Sequence, residues 1–245
     1  MEEHVYKTMY HQQNNHWWYR ARKEILESYL NIYLNGSSQL KGLEVGAGTG
    51  VNTELLLEYV ALDVVEKNPF SINLLNKIQK INVIEGLYPE TLSSQYSQYD
   101  SIFMFDVLEH IDSDEESLNF TNRLLKEGGV LFLTVPSYQF LFSSHDKEMH
   151  HFRRYSKKDL ERKLEMSNFE IIESNYFNFF LFPIAFFSRV IGKLGFHSYK
   201  QEQKIPHRFL NQLLFTIFRL EKLLLPYIRL PFGLSIFICA RKRKQ

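Results

Sequence analysis

The chain of 245 residues holds a single cysteine, Cys239. One thiol excludes a disulfide within the monomer and fits a reducing compartment. Long apolar runs are also missing. The longest spans Phe179 to Phe187, nine residues interrupted by Pro183, whereas a membrane-spanning helix needs about 20. The opening residues, Met1-Glu2-Glu3-His4, lack a basic start followed by an apolar segment, so no signal peptide is expected. These absences predict a cytoplasmic protein without a transmembrane span. Net charge is nearly absent too, at +1, and the total says little about partners.

The distribution of charge says more. From Arg189 to the end there are twelve Lys or Arg against two acids, Glu202 and Glu221; the 188 residues before it carry 17 basic and 26 acidic side chains. Such asymmetry suits a C-terminal part that meets something anionic, or a solvated basic face with a frayed tail. Aromatic content is high at 15%, with 21 Phe.

Hydrophobic spacing predicts a helix from His16 to Leu34, ended by Asn35-Gly36-Ser37-Ser38. Strands are expected at Lys41–Val45, Val60–Val65, Ile81–Ile84, Asp100–Phe105, Val130–Val135, Phe169–Ser174 and Leu234–Ala240. Helices are expected between them at Val51–Tyr59, Phe70–Ile78 and Asp114–Lys126, and from Ser156 with Asp159 as a capping-box-like partner. Strands alternating with helices argue an α/β fold, a Rossmann-like and mostly parallel seven-stranded sheet flanked by helices. Some fifty helical-looking residues separate the last two strands. The expected organisation is an N-terminal helical segment (1–39), a core (40–177), a helical insertion (178–229), and the last strand with a basic tail (230–245).

The first strand runs into Glu44, Gly46, Ala47, Gly48 and Gly50 before a helix begins. Glycines there let a ligand approach the main chain at a helix N-terminus. A dinucleotide fingerprint needs a third glycine at position 51, which is Val51. The spacing therefore argues against a pyrophosphate cradle and a nicotinamide-dependent oxidoreductase. Glu66 ends the second strand, about twenty residues on from the loop, where an acid can accept bonds from ribose hydroxyls. Asp63 competes, but strand alternation turns it to the other face.

These residues resemble a known family. Leu43 to Gly50 (Leu-Glu-Val-Gly-Ala-Gly-Thr-Gly) resembles the first motif of class I S-adenosylmethionine-dependent methyltransferases. Phe105-Asp106-Val107-Leu108-Glu109-His110-Ile111 resembles the fourth-strand motif of their ubiquinone-biosynthesis-like, or methyltransferase type 11, branch. Leu124 to Leu131 resembles the helix–turn–strand that follows. The resemblance covers roughly Leu40 to Ser174. It implies S-adenosyl-L-methionine as cofactor, with Glu44 and the Gly46–Gly50 loop around its methionine part, Glu66 on the ribose, and Asp106 and Val107 beside it. Many members carry an acid just after the third strand for the adenine; here Glu85-Gly86 is followed by Leu87, so Glu85 or backbone groups must serve. His16 to Arg22 and Ser143 to Tyr155 resemble a narrower subgroup associated with polysaccharide and glycolipid genes.

After the fifth strand comes a polar cluster: His145, Asp146, His150, His151, Arg153, Arg154 and Tyr155. His145 or His150 could take a proton from an acceptor hydroxyl. Asp146, His151, Arg153, Arg154 and Tyr155 are candidates for substrate contact, the arginines for phosphate or carboxylate. The alternative is a polar loop whose histidines cap helices. The spacing matches no metal motif, so no metal ligand is assigned. His110 begins a helix after the fourth strand and could merely orient backbone.

In the insertion, Tyr176 to Phe187 packs seven aromatics into twelve residues. Phe209, Leu213, Leu214, Ile217, Phe218, Leu220, Leu224 and Leu225 follow at near-helical spacing, with Arg208, Arg219, Lys222 and Arg229 interspersed. Such helices could lie in an anionic membrane interface, cover a greasy substrate, join subunits, or pack as core. No nucleic-acid module is legible. The expected function is methyl transfer, at oxygen, to a small-molecule or lipid/glycan-linked acceptor. The second reading is a membrane-peripheral binding or scaffold protein that keeps the fold without the chemistry.

Overall fold

A computed structural model describes residues 2–34, 40–193, 205–225 and 227–244. Its centre is a seven-stranded sheet in the order β3-β2-β1-β4-β5-β7-β6. The strands are β1 (Lys41–Val45), β2 (Ala61–Glu66), β3 (Ile81–Glu85), β4 (Tyr99–Phe105), β5 (Leu125–Pro136), β6 (Phe169–Phe177) and β7 (Ser235–Lys242). All pairings are parallel except those of β7, which runs antiparallel to both β5 and β6. The expected mostly parallel α/β sheet is therefore present. Central strands read as unbroken apolar runs because both their faces are covered: Ile102, Phe103 and Met104 on β4, and Leu131 to Leu133 on β5, are fully buried.

Helices α1 (Glu3–Gln12) and α2 (Trp17–Tyr33) precede the sheet. Ala21, Ile25, Leu26, Tyr29 and Leu30 form the buried stripe of α2. His16 caps that helix, its Nδ1 accepting from the Trp18 N–H at 3.2 Å. The expected stop at residues 35–38 lies outside the described residues. Within the sheet connections come α3 (Thr53–Leu56), α4 (Pro69–Leu75), α5 (Asp114–Leu124), α6 (Ser144–Glu148) and α7 (Lys157–Met166). Ser156 caps α7 by accepting from the Asp159 N–H at 3.1 Å. Between β6 and β7 lie α8 (Phe182–Lys193), α9 (Arg208–Arg219) and α10 (Glu221–Leu224).

Three expected helices are shorter than their spacing suggests, the one expected to end at Ile78 stopping at Leu75. After the glycine loop only Thr53–Leu56 is α-helical; Glu58 and Tyr59 bond three residues back, to Leu55 and Leu56. That tighter turn lets β2 begin at Ala61. The helix expected to reach Lys126 stops at Leu124. Leu125 is extended and fully buried, and opens β5 opposite Tyr99. α1 and α6 are not among the expected helices. α6 carries a capping box in which Ser143 and Asp146 reciprocate.

Glu221 ties the far part of the insertion to its first residues, just beyond the end of β6. Glu221, with no exposed surface, accepts from the N–H groups of Asn178, Phe179 and Phe180 at 2.6, 2.8 and 3.0 Å. Burial raises its pKa from 4.5 to about 7, with those three bonds opposing. A raised carboxylate favours the fold most below the unfolded pKa. The stability of the native chain relative to Glu221→Gln should therefore fall as pH rises from 4.5 to 7, by up to about 3 kcal/mol. Urea unfolding of both proteins across that range measures it. A flat difference would show that Glu221 ionises in the fold as freely as in water.

Candidate active site

The strand order reverses between β1 and β4, and ligands of open α/β sheets bind at that switch point, beyond the carboxyl ends of the strands. A cavity of about 790 Å³ opens there. Glu44, Gly46, Ala47, Gly48, Glu66, Asp106 and Val107 all line it. Gly50 does not; a Cβ there would press on Ile78 and Leu75 at 3.1 and 3.3 Å, so this glycine lets the loop pack against the end of α4.

Gly48 sits at φ +56°, and a Cβ built on it meets nothing within 4 Å among the described residues. Its side-chain position is open space in the cavity, and its N–H donates to Glu66 Oε2 at 2.8 Å. The other Glu66 oxygen accepts from Lys67 and Asn68, each at 2.9 Å. Glu66 is thus fixed at the end of β2 facing the loop, where two ribose hydroxyls would meet it. Asp63 is engaged elsewhere, with Lys41, Tyr99 and Asn82 at 2.9, 2.9 and 3.1 Å. Beyond β3, Gly86, Leu87 and Tyr88 line the cavity while Glu85 does not. A base there would meet apolar side chains and backbone rather than an acid.

The cavity is rich in buried carboxylates. Glu44 accepts from Thr53 Oγ1 at 2.6 Å, and burial, partly offset by that bond, lifts its pKa to about 7. Burial also raises Glu66, against three opposing backbone bonds, and raises Glu109 well above the usual range, helped by the neighbouring Asp106. Asp106 itself, at φ +58°, is paired with Arg22 of α2 at 2.7 Å and accepts from Thr134 Oγ1 at 3.0 Å. A cationic ligand beside these acids would draw them back towards their charged forms and be favoured by them in turn.

Over this floor sits an aromatic and apolar cover. α1 supplies Tyr6, Met9 and Gln12, the start of α2 supplies Trp17, Trp18 and Tyr19, and Ile184, Ala185 and Leu214 come from α8 and α9. Asn211 of α9 holds this cover to α2, its Oδ1 accepting from the Trp17 N–H at 3.0 Å.

The segment after β5 divides. His145, His150, His151 and Arg154 line the cavity with Met149 and Phe152. Asp146, Arg153 and Tyr155 do not, and each has a structural occupation. Asp146, with no exposed surface, caps α6, pairs with Arg154 at 2.7 Å and meets His151 Nδ1 at 3.0 Å. Burial alone would raise its pKa, but the His151 hydrogen bond and the Arg154 charge prevail and hold it well below the carboxylate range. Arg153 binds Asp112 and Asp114, and buried Tyr155 donates to Asp114 at 2.9 Å. These three hold the loop from behind.

Sequence reasoning gives no role to Arg22 or Glu109, yet both line the cavity. Arg22 stands in the distinctive His16–Arg22 stretch, and Glu109 in the run from Phe105 to Ile111. Both motifs are visible in the sequence, but the pairing across 84 positions between Arg22 and Asp106 is set by packing alone.

A family model described as a methyltransferase domain matches residues 13–174. The mitochondrial ubiquinone biosynthesis O-methyltransferase of Dictyostelium discoideum is 26% identical over 182 residues, 62% of this chain and 55% of that protein. The chain thus spans little more than half the length of this relative. Among solved structures, a SAM-dependent methyltransferase from Archaeoglobus fulgidus superposes with a TM-score of 0.58 at 19% identity, covering 90% of this chain and 94% of the other. The [4+2]-cyclase SpnF superposes with a TM-score of 0.57 at 12% identity, covering 91% and 81%. These two likenesses speak to the fold.

Proposed function

Because the chain belongs to the methyltransferase-domain family, we propose that it is an enzyme that moves a methyl group from S-adenosylmethionine to an oxygen of a small-molecule or lipid/glycan-linked acceptor. The observation that carries this reading is Glu66, fixed opposite the Gly48 N–H over open space. When bound, S-adenosylmethionine supplies a methyl group on a positively charged sulfur, open to a nucleophile from the far side. Glu66 takes the ribose hydroxyls, the Gly46–Gly48 backbone allows close approach, and Leu87 and Tyr88 flank the base. Glu44 and Glu66 favour a cation over its neutral product. The acceptor lies under α8 and the His145–Phe152 wall. That wall would hold the acceptor oxygen in line with the methyl group that the bound cofactor would supply. The hydroxyl proton passes to His145 or His150.

Oxygen as the atom methylated is supported by the name of the Dictyostelium relative. A lipid-linked acceptor at a membrane is supported by the insertion. Phe209, Leu213, Leu220, Leu223 and Tyr227 recur three to seven residues apart from α9 to just past α10, all exposed, with exposed Arg208 beside them. Arg219 and Lys222 share Glu24 of α2. On α8, Ile184 is 62% exposed and also lines the cavity, so the cavity mouth borders apolar surface. An exposed apolar stripe edged by cations suits an anionic interface. Among the described residues no helix is long and apolar enough to cross a membrane. The protein would act at the cytoplasmic face of the bilayer, from its surface.

Two measurements test this. Incubation with methyl-labelled S-adenosylmethionine and a total lipid extract should move label into a base-stable lipid product. Co-sedimentation with phosphatidylglycerol vesicles should be strong at low salt and fall in Leu213→Asp/Leu223→Asp. Vesicle binding without label transfer, with the cofactor bound, would favour the second reading, a membrane-peripheral protein of this fold without methyl transfer. The cyclase among the similar structures shows that the fold is not confined to methyltransferases.

A further inference from the structure

Asn178 lies where β6 ends and the insertion begins, and it lines the cavity. It is 3% exposed, and its side-chain oxygen meets no hydrogen-bond partner among the described residues. A buried amide oxygen in that condition costs free energy unless a ligand or a water completes it. The backbone on either side of the amide is committed. The Asn178 N–H donates to Glu221 at 2.6 Å, and its carbonyl accepts from the Leu234 N–H at 3.3 Å. At φ +60° the residue sits in the left-handed region, which ends the alternation of the strand. Two backbone bonds therefore hold the residue in place, while its side-chain oxygen is left over.

The sheet order sets what Asn178 can reach. The sequence β4-β5-β7-β6 puts the end of β6 three interstrand spacings, about 14 Å, from the end of β4. Because β7 is antiparallel to both β5 and β6, those two strands run the same way and end on the same side of the sheet. Cofactor-side residues of the cavity stand at the ends of β1 to β4, so Asn178 marks its opposite end. The strand ends between contribute Pro136 and Leu234, and Leu181, Ile184 and Ala185 follow Asn178 in the chain. These five lining residues are apolar. The cavity thus runs from a histidine-rich wall past apolar side chains to one bare amide.

We propose that Asn178 is a specificity-determining residue for the acceptor, and that it hydrogen-bonds an uncharged hydroxyl or amide N–H at the end remote from the reacting oxygen. The bare atom is an oxygen, so it calls for a donor. The Glu221 carboxyl group at the Asn178 N–H disfavours a carboxylate or phosphate in that place. The acceptor class is then an elongated, mostly apolar molecule with a polar group at each end, long enough to reach from the end of β4 to the end of β6. Which of those groups is methylated rests on the methyl-transfer reading; the subsite at Asn178 does not. A site that pairs a ligand hydroxyl discriminates against the analogue lacking it, because its own polar group is then left bare.

The probes are decanol and the decanediol with a hydroxyl at each end, which spans about 13 Å when extended. The chain has two tryptophans, Trp17 and Trp18, and both line the cavity, so their fluorescence reports binding. With the full chain saturated in S-adenosylhomocysteine, the diol should bind about tenfold more tightly than decanol. Asn178→Gly removes the amide and suits φ +60°. This variant should melt no lower than the native chain and should reverse the order, since the second hydroxyl would be buried without a partner. A native chain that binds the two alike or binds neither, a preference for the diol that persists in Asn178→Gly, or a variant that melts several degrees lower overturns the subsite. Failure of S-adenosylhomocysteine to bind removes the methyl-transfer reading instead. The two alcohols are then compared in the cofactor-free chain, where the same ranking decides the role of Asn178.

Discussion

Gly48→Arg should abolish S-adenosylhomocysteine binding, by more than about 100-fold, in a chain that remains folded. No atom of the described residues lies within 4 Å of a Cβ at this position, so the new side chain meets no wall and projects into the cavity. The residue keeps its N–H bond to Glu66. A non-glycine residue at φ +56° costs about 1–2 kcal/mol, which should lower the melting temperature by only a few degrees in a chain of this size. The guanidinium would also neutralise the carboxylates that favour a sulfonium. Calorimetric titration and a melting curve on the same preparation separate the two effects. Equal affinity in the native chain and the variant would place the cofactor elsewhere.

Asp146→Ala should cost about 3–5 kcal/mol of stability, because it leaves a buried guanidinium unpaired. Arg154 is 6% exposed and its Nε donates to Asp146 at 2.7 Å. The substitution also removes the Asp146 half of the α6 capping box and the partner of His151. In a chain of this length the melting temperature should drop by roughly 10 °C. Asp146→Asn, which can still accept at the cap but carries no charge, should lie between the two. A melting temperature unchanged in Asp146→Ala would mean that Asp146 faces the acceptor, as its residue type and position in the sequence suggest, and not the loop behind it.

The two variants mark where the sequence is legible and where it is not. Glycine spacing and an acid at a strand end are local signals, since backbone conformation and one strand's register decide them. Glu44, Gly48 and Glu66 can therefore be assigned to the cavity from the sequence alone. The strand pattern is equally local, because buried parallel strands are continuous apolar runs. The polar cluster after β5 is different. Its residue types suit either substrate contact or internal ion pairing, and only packing decides which. Asp146 and Tyr155 turn inward, while His150 and Arg154 reach the cavity. Arg22 and Glu109 acquire their places from partners far along the chain, so composition marks their motifs without assigning them. Helix lengths fail at junctions: burial of Leu125 and the start of β2 at Ala61 override helical spacing.

The most direct test of the central claim is a crystal structure of the full chain with S-adenosylhomocysteine. The ribose hydroxyls should lie on Glu66, the base beside Leu87 and Tyr88, and the sulfur should face the space walled by Glu109, His110 and His150. A ligand whose ribose instead meets Asp63, or a cavity that stays empty at saturating ligand, would contradict the account.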